Sequence, residues 1–457
     1  MPMPEKISES TTATLSLPDR DEPQDHSLTV VEVQGQEGMS DLFHYVVQAH
    51  SDDGRPLLDE AQPNVGESIQ LMFHRPNEGT RSVTGIIARV VEHADPLGSD
   101  QIHYEINIRP RLWRLTLSRH YRTFTDRKII QEDDGETGVL ETLLQDVGYS
   151  TDEILISLDD AYAEQSHLVQ HGETDFAFFQ RLVSESGVAY FLDGNDAIHL
   201  IDRSATDRLL LYKRAADDGM GTSASLRPAT QRRDQQEGRL LSYALERNTI
   251  PKSISAYDSR PGTGRFASGS VGVDEPGATG SIHEYPSGLG RSNNYAFSTS
   301  ASNPWTQGPA LQVRREDQLR SAYAKIRGET NARLLGIGMV FEMEEAYCPS
   351  VVRQFQTTSS TNTHSQSVLP VLVQRLRVSL TQGIGYRAEV EAHPLQAMQE
   401  SDNKTTEAPN IRGPRFTEAT ESENEAATSA YQLKTTPHPG PRVGTMAGVH
   451  LGEVQDV

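Results

Sequence analysis

The chain has 457 residues and a formal net charge of -22, with 42 Lys and Arg set against 64 Asp and Glu. That length calls for two or three domains, and so acidic a chain argues against a nucleic-acid surface, which needs clustered Lys and Arg for phosphate contacts. A single cysteine, Cys348, excludes an intrachain disulfide and a cysteine-rich zinc site; no apolar run approaches the ~20 residues that span a bilayer, and the N-terminus lacks the pattern of an export signal.

Residues 1–27, rich in Glu, Asp, Ser, Thr and Pro and without an apolar period, are predicted to be a disordered tail. A first β-barrel-like domain is expected over 28–136. Within 43–50, Phe43, Tyr45, Val47 and Ala49 alternate with His44, Gln48 and His50, and within 68–74 Ile69, Leu71 and Phe73 alternate with Gln70 and His74. Segments 84–92 and 103–109 continue the series, the second with Tyr104, Ile106 and Ile108 on one face. Strands at this spacing imply a barrel or sandwich. An insertion is expected over 137–205, opening with a helix at 137–147 whose Val139, Leu140, Leu143, Leu144 and Val147 share a face ahead of Gly148.

A second β-barrel-like domain is expected over 206–397. Leu241, Tyr243 and Leu245 alternate with Ser242, Ala244 and Glu246, and 338–346, 371–380 and 386–393 supply closing strands. Between them, Gly, Ser, Pro and Asn dominate about 259–312, which predicts a long loop. Leu319, Ala322, Tyr323, Ile326 and Leu334 fall at helical steps, so a helix is predicted over 314–335, weakened by Gly328. Residues 398–436 are acidic and aperiodic, as in a linker, and 437–457 form a last segment. The fold class is therefore mainly β with helical insertions, α+β.

The most specific pattern lies at 169–192. Phe176, Phe179, Leu182 and Val183 recur at three- and four-residue steps and predict a buried helical stripe. Asp175 falls in the first turn, where the helix dipole favours negative charge, and Gly187 follows the last turn, where a left-handed residue is needed. A strand with Tyr190 and Phe191 comes next. The run Gln170, Glu173, Asp175, Phe176, Phe178, Arg181, Leu182, Glu185, Gly187, Tyr190, Phe191 resembles the signature of VgrG proteins, the trimeric spike proteins of bacterial type VI secretion, which are similar to contractile-phage tail-hub proteins. A second patch, Arg109, Pro110, Arg111, Leu112, Trp113, Arg114 and Leu115 followed by 121–126, resembles that family too, in the same order.

The resemblance implies two barrel-like β domains of phage tail-hub type, assembled as a homotrimeric ring. It implies a structural role on a hexameric tube protein, with a needle or tip protein, baseplate proteins and effectors as further partners. Residues 437–457 resemble the approach to a needle-base barrel, so a needle is expected on a separate polypeptide or beyond a hub-boundary cut. Assembly is expected in the cytoplasm, with delivery out of the cell by the injection machine. A phage or phage-derived tail hub is the alternative context, and a secreted hydrolase is the alternative class.

Catalytic motifs are absent: there is no phosphate-binding P-loop, no His-Glu-x-x-His helix and no Gly-x-Ser-x-Gly elbow. Gly262, Gly264 and Ala267 imitate a dinucleotide fingerprint inside the Gly-rich stretch, where a strand-to-helix context is not expected. His171, Glu173 and Asp175 have metal-donor chemistry at short spacing, yet helix capping predicts that the two carboxylates accept backbone or Arg hydrogen bonds. No cofactor, metal or catalytic residue is therefore expected. Phe176, Phe179, Tyr190 and Phe191 read as core rather than a stacking platform, and Arg181 on a packed helix calls for Glu173, Glu185 or a neighbouring subunit's acid. Arg109, Arg111 and Arg114 read as salt-bridge or interface residues, and Cys348 as a buried small side chain.

Overall fold

The computed structural model describes residues 11–16, 28–51, 65–75, 79–94, 102–130, 137–158, 165, 167–201, 210–211, 214–215, 222–223, 225–229, 238–260, 265–272, 277–284, 322–355, 368–397 and 431–432. The first group of strands is β1 (Thr12–Ser16), β2 (Leu28–Gly38), β3 (His44–Ser51), β4 (Ser68–His74), β5 (Arg81–Ala94) and β6 (Ile102–Arg109). An inserted unit follows: a 3-10 turn at Arg111–Thr116, β7 (Arg119–Phe124), α1 (Val139–Asp146), β8 (Ile154–Ser157), β9 (Leu168–Thr174), α2 (Asp175–Ser186), β10 (Ala189–Leu192) and β11 (Ile198–Ile201). The longer elements of the remaining chain are β12 (Arg239–Arg247), β13 (Ser253–Arg260), β14 (Arg265–Gly272), β15 (Ser281–Glu284), β16 (Ala324–Thr330), β17 (Met339–Glu344), α3 (Pro349–Phe355), β18 (Val368–Thr381) and β19 (Gly385–Pro394).

The fold is mainly β. Its principal sheet is antiparallel in the order β1-β4-β5-β6-β3-β2-β18-β19-β16-β12, with β17 also on β18. The strands form because apolar residues recur every second position, so one face can be dry while the other stays wet. In β3 the fully buried Tyr45 and Val47 alternate with partly exposed His44, Val46 and Gln48, and Ile69, Leu71 and Phe73 of β4 do the same. These side chains share one core with Leu376, Val378, Leu380 and Val390 of β18 and β19. Strand β2 carries the join, pairing with β3 on one edge and, through Glu32 to Gly38, with Thr381 to Arg375 of β18 on the other. The two β halves expected from the sequence thus share one sheet.

A buried ion pair sits across that join. Arg81 of β5 bonds to Glu37 of β2 and, at 3.2 Å, to the Tyr386 hydroxyl of β19, while Tyr45 donates its hydroxyl to Glu37. Gly35 belongs to the same arrangement, because a Cβ there would collide with the Tyr45 ring.

The inserted unit has its own core. Leu112 and Leu115 of the 3-10 turn, Leu140, Leu143 and Leu144 of α1, and Phe178, Phe179, Leu182 and Val183 of α2 close over the small sheet β10-β11-β8. Strands β7 and β9 form a separate two-stranded ribbon.

Four expectations need correction. Thr12–Ser16 is a strand paired with His74 to Gln70 of β4, so the disordered tail over 1–27 does not hold there: Ala13 is buried in the core, and the short alternation Thr-Ala-Thr-Leu-Ser suffices once an edge is offered. The helix over 314–335 is overturned at β16, where Ala324, Ile326 and Thr330 are buried on alternate positions and pair with β12 and β19. Gly328 is a close approach rather than a weak helix position, since a Cβ there would lie 2.5 Å from the Ser242 carbonyl oxygen. The long loop over 259–312 contains β14 and β15, which pair with β13 as an antiparallel and a parallel neighbour. On α2 the dry face centres on Phe178 and Phe179, and Phe176 is partly buried beside it. Residues 314–321 and 437–457 lie outside the described residues, as do 398–430 and 433–436 of the expected linker; Tyr431–Gln432 pairs with Gln396–Ala397.

Candidate functional site

The two sequence patches meet in the inserted unit, each organised around one buried carboxylate. Strand β9 leads into α2 through Thr174, whose hydroxyl accepts from the Ala177 N–H at 3.1 Å and caps the helix. Asp175 follows in the first turn and is 2% exposed. Its oxygens accept from Gln170 Nε2 at 2.7 Å, His120 Nδ1 at 2.9 Å and the Arg122 guanidinium at 2.8 Å. Gln170 also donates to the Glu173 carbonyl at 3.0 Å, which fixes the entry to the helix. The expectation that Asp175 would accept an Arg hydrogen bond is met by Arg122, which also reaches Asp146 at 2.6 Å.

Arg181 lies one side further along α2. It bonds Glu173 at 2.6 Å and the Val169 carbonyl at 2.8 Å, has Glu185 at 3.7 Å, and its guanidinium stands 5.0 Å from the Phe178 ring centroid. Both acids named from the sequence are therefore its partners, and stacking on Phe178 adds a cation–π contact. Glu173 and Asp175 face different cations, so His171, Glu173 and Asp175 do not form one donor set; exposed His171 packs edge-on against Tyr121. Gly187 ends the helix at φ 71°, the left-handed conformation that glycine adopts at least cost.

The chain then enters β10 of the small sheet, which backbone hydrogen bonds tie to the principal sheet. Phe179 and Tyr190 pack edge to face at 5.3 Å, and the Tyr190 hydroxyl accepts from Gln180 at 2.6 Å. The Tyr190 carbonyl accepts the Ser40 N–H at 2.7 Å, just beyond β2. A second tie runs from the Thr84 N–H of β5 to the Gly194 carbonyl at 3.0 Å.

The earlier patch supplies the other centre. Pro110 precedes the 3-10 turn, which buries Leu112 and Leu115 and leaves Trp113 partly exposed. Arg111 bonds Glu153 through two nitrogens, at 2.6 and 3.1 Å, and Asp196 through its backbone and side chain, each at 3.0 Å. Its guanidinium lies 4.5 Å from the Tyr149 ring centroid, and the Tyr149 hydroxyl bonds Asp196 at 3.2 Å. Burial pushes the Asp196 carboxyl up to about 6, against the pull of Arg111 and Tyr149. The Arg111 hydrogen bonds hold Glu153 down at about 2. Arg114 donates to the Gly66 carbonyl at 2.9 Å, and burial lowers Arg109 beside Asp41.

Sequence reasoning missed Asp196, Glu153, Tyr149, His120 and Thr174. A signal existed for Asp196, because Asp193-Gly194-Asn195-Asp196 is turn chemistry between two apolar runs; its pairing with Arg111 is set by the fold. Cys348 is buried, as expected, and burial raises its thiol. Every carboxylate of the two centres faces an arginine or a helix start, an arrangement that fixes chain segments against one another.

Residues 36–368 match the family described as the phage tail baseplate hub (GPD). The chain belongs to that family. Among curated proteins it is similar to type VI secretion system spike proteins of Pseudomonas aeruginosa: VgrG1c, 24% identical over 320 residues, covering 69% of this chain and 39% of the relative, and VgrG1b, 23% identical over 395 residues, covering 84% and 48%. The resemblance to VgrG proteins carried by the two patches is thus borne out, and the chain spans about half the length of these relatives or less. Solved structures with similar folds include the Escherichia coli c3393 protein, a component of the type VI secretion system (TM-score 0.48, 14% identity, 83% of this chain and 76% of that one). Another is the 43 kDa tail protein of prophage MuSo2 from Shewanella oneidensis (TM-score 0.47, 10% identity, 84% and 98%).

Proposed function

We propose that this chain is the structural hub of the cell-puncturing spike of a contractile injection system. It works as a homotrimer, in which two barrel-like β units per subunit give a ring of six quasi-equivalent units. That ring docks on the hexameric tube protein at its base and carries needle, tip and effectors at its other end, with baseplate proteins around it. Sheath contraction supplies the force, so the hub needs stiffness and broad interfaces and no catalytic residue. Assembly takes place in the cytoplasm and the injection machine delivers the product.

The observation that carries this reading is the family match over 36–368, which contains both polar centres and most of the principal sheet. Relatives described as secretion spike proteins favour the secretion context over a phage particle. Paired carboxylates at Asp175 and Asp196 suit a rigid joint, since each would be costly to bury without its partners. Light scattering or native mass spectrometry of the purified chain at micromolar concentration tests the assembly. A trimer is expected, and a stable monomer would overturn the hub as drawn.

A further inference from the structure

Basic charge in this acidic chain gathers in one stretch: residues 109–128 carry seven Arg and Lys against one Asp, in a chain of net charge -22. Several of these cations already face partners, Arg111 at Glu153 and Asp196, Arg122 at Asp146 and Asp175, and Arg114 at the Gly66 carbonyl. Arg119, the first residue of β7, is exposed and has no ion-pair partner among the described residues. The β7–β9 ribbon it opens has two unlike faces. The inner face is fixed to α2: Arg122 and Gln170 stand opposite each other and both bond Asp175, and Phe124 stacks on Phe178 with ring centroids 6.0 Å apart. On the outer face Tyr121 stands opposite His171 and is 76% exposed, and Leu117, at the end of the 3-10 turn before the ribbon, is 67% exposed. The Tyr121 ring is held in place, meeting His171 edge-on at 5.4 Å and lying over Gly172, where a Cβ would come within 2.7 Å of the hydroxyl.

From this surface we infer a contact between copies of this chain, in which Leu117, Arg119 and Tyr121 of one copy dock on an acidic surface of the next. It rests on the homotrimer proposed above and names the side chains that join its subunits. A single exposed apolar residue is ordinary; two of them beside an unpaired arginine have the composition of an interface anchor, and a ring already fixed on its strand loses little freedom on docking. In a closed three-fold ring each contact is heterologous, so this patch meets a different surface of its neighbour and need not complement itself. Copies that each carry -22 repel one another, so a stable contact must set opposite charges together. The acid is at hand: Glu329 of β16 and Glu389 of β19, both exposed, stand directly opposite each other, with Arg377 3.7 Å from Glu389. Like charges so opposed destabilise a sheet, and a cation from outside relieves them. Acid of this kind makes a second copy the complementary partner for a basic and apolar ribbon.

The test measures the mass of the full chain by sedimentation across a micromolar dilution series. Arg119→Glu and Tyr121→Ser should each raise the trimer dissociation constant by about tenfold or more. Lys252→Glu, the same charge change at an exposed position beside β13, should leave it in place. Added salt should loosen the parent trimer and have less effect on Arg119→Glu, because screening acts on the charged contact. Circular dichroism confirms that the variants fold. A monomeric parent would overturn both this contact and the homotrimer. A trimeric parent whose mass is unmoved by Arg119→Glu and Tyr121→Ser, or moved equally by Lys252→Glu, would overturn the contact alone. So would binding of the parent to phosphatidylserine vesicles that Arg119→Glu abolishes while the trimer persists, since the ribbon would then face a lipid surface.

Discussion

At the scale of single residues, the inserted unit depends on charges that are buried together. Asp196 is fully buried and accepts from the Arg111 backbone and side chain and from the Tyr149 hydroxyl. Removing the guanidinium leaves that carboxylate without its cation, so Arg111→Ala should cost about 3 kcal/mol in urea unfolding. Lysine at this position recovers little, since it lacks the fork that engages Glu153 and Asp196 together. His393 makes a second prediction. Burial holds its imidazole neutral, down to about 4 from the ordinary 6.5, and its Nδ1 has no hydrogen-bond partner among the described residues. The unfolded chain takes up this proton more readily than the folded one. The corresponding stability, about 3 kcal/mol by linkage, is full above pH 6.5 and lost as pH falls toward 4. His393→Gln should flatten the fall of the urea midpoint across that window; an equally steep fall in the variant would refute the assignment.

At the scale of elements, α2 was legible at both ends and differs at one residue of its expected face, where Phe178 is buried and Phe176 only partly so. Asp175 and Gly187 mark its limits by chemistry that acts within a turn. Which aromatic enters the core is decided by the 3-10 turn and α1 packing from outside the helix, and they select Phe178 over Phe176. The same distinction explains β16. Leu319, Ala322, Tyr323 and Ile326 fall at helical steps in the sequence, and only pairing with β12 and β19 settles the strand. Leu182 sits at the centre of the α2 contact and is fully buried. Leu182→Ala should cost 2 to 5 kcal/mol, about the usual range for a buried leucine. Leu182→Asp should abolish folding or trimer assembly with no separable catalytic defect, as read by circular dichroism and solution mass.

At the scale of the whole molecule, sequence patterning located β3 to β6 in one half and β12 and β17 to β19 in the other, and said nothing of the edge that joins them. Alternation in 43–50 or 386–393 records which face is dry, and a strand carries no local mark of its hydrogen-bonding neighbour. The join is substantial: β2 pairs with β18, Arg81 bonds Tyr386, and one core holds Tyr45, Phe73 and Leu380. A fragment of residues 28–136 should therefore lack dispersed amide resonances and associate through its uncovered edge. Well-dispersed spectra from a monomeric fragment would show that the first half folds alone.

That join also sets an order of events during synthesis. Strand β2 leaves the ribosome near the beginning of the chain, but its partner edge, Val368–Thr381, is among the last described segments to emerge. At about 5–20 residues per second, the nascent chain carries an open strand edge for a period on the order of tens of seconds. During that interval neighbouring nascent chains on one message present the same edge to one another, which is a route to mispairing. Yield of this hub should then depend on translation rate and chaperone supply more than on the stability of the finished sheet.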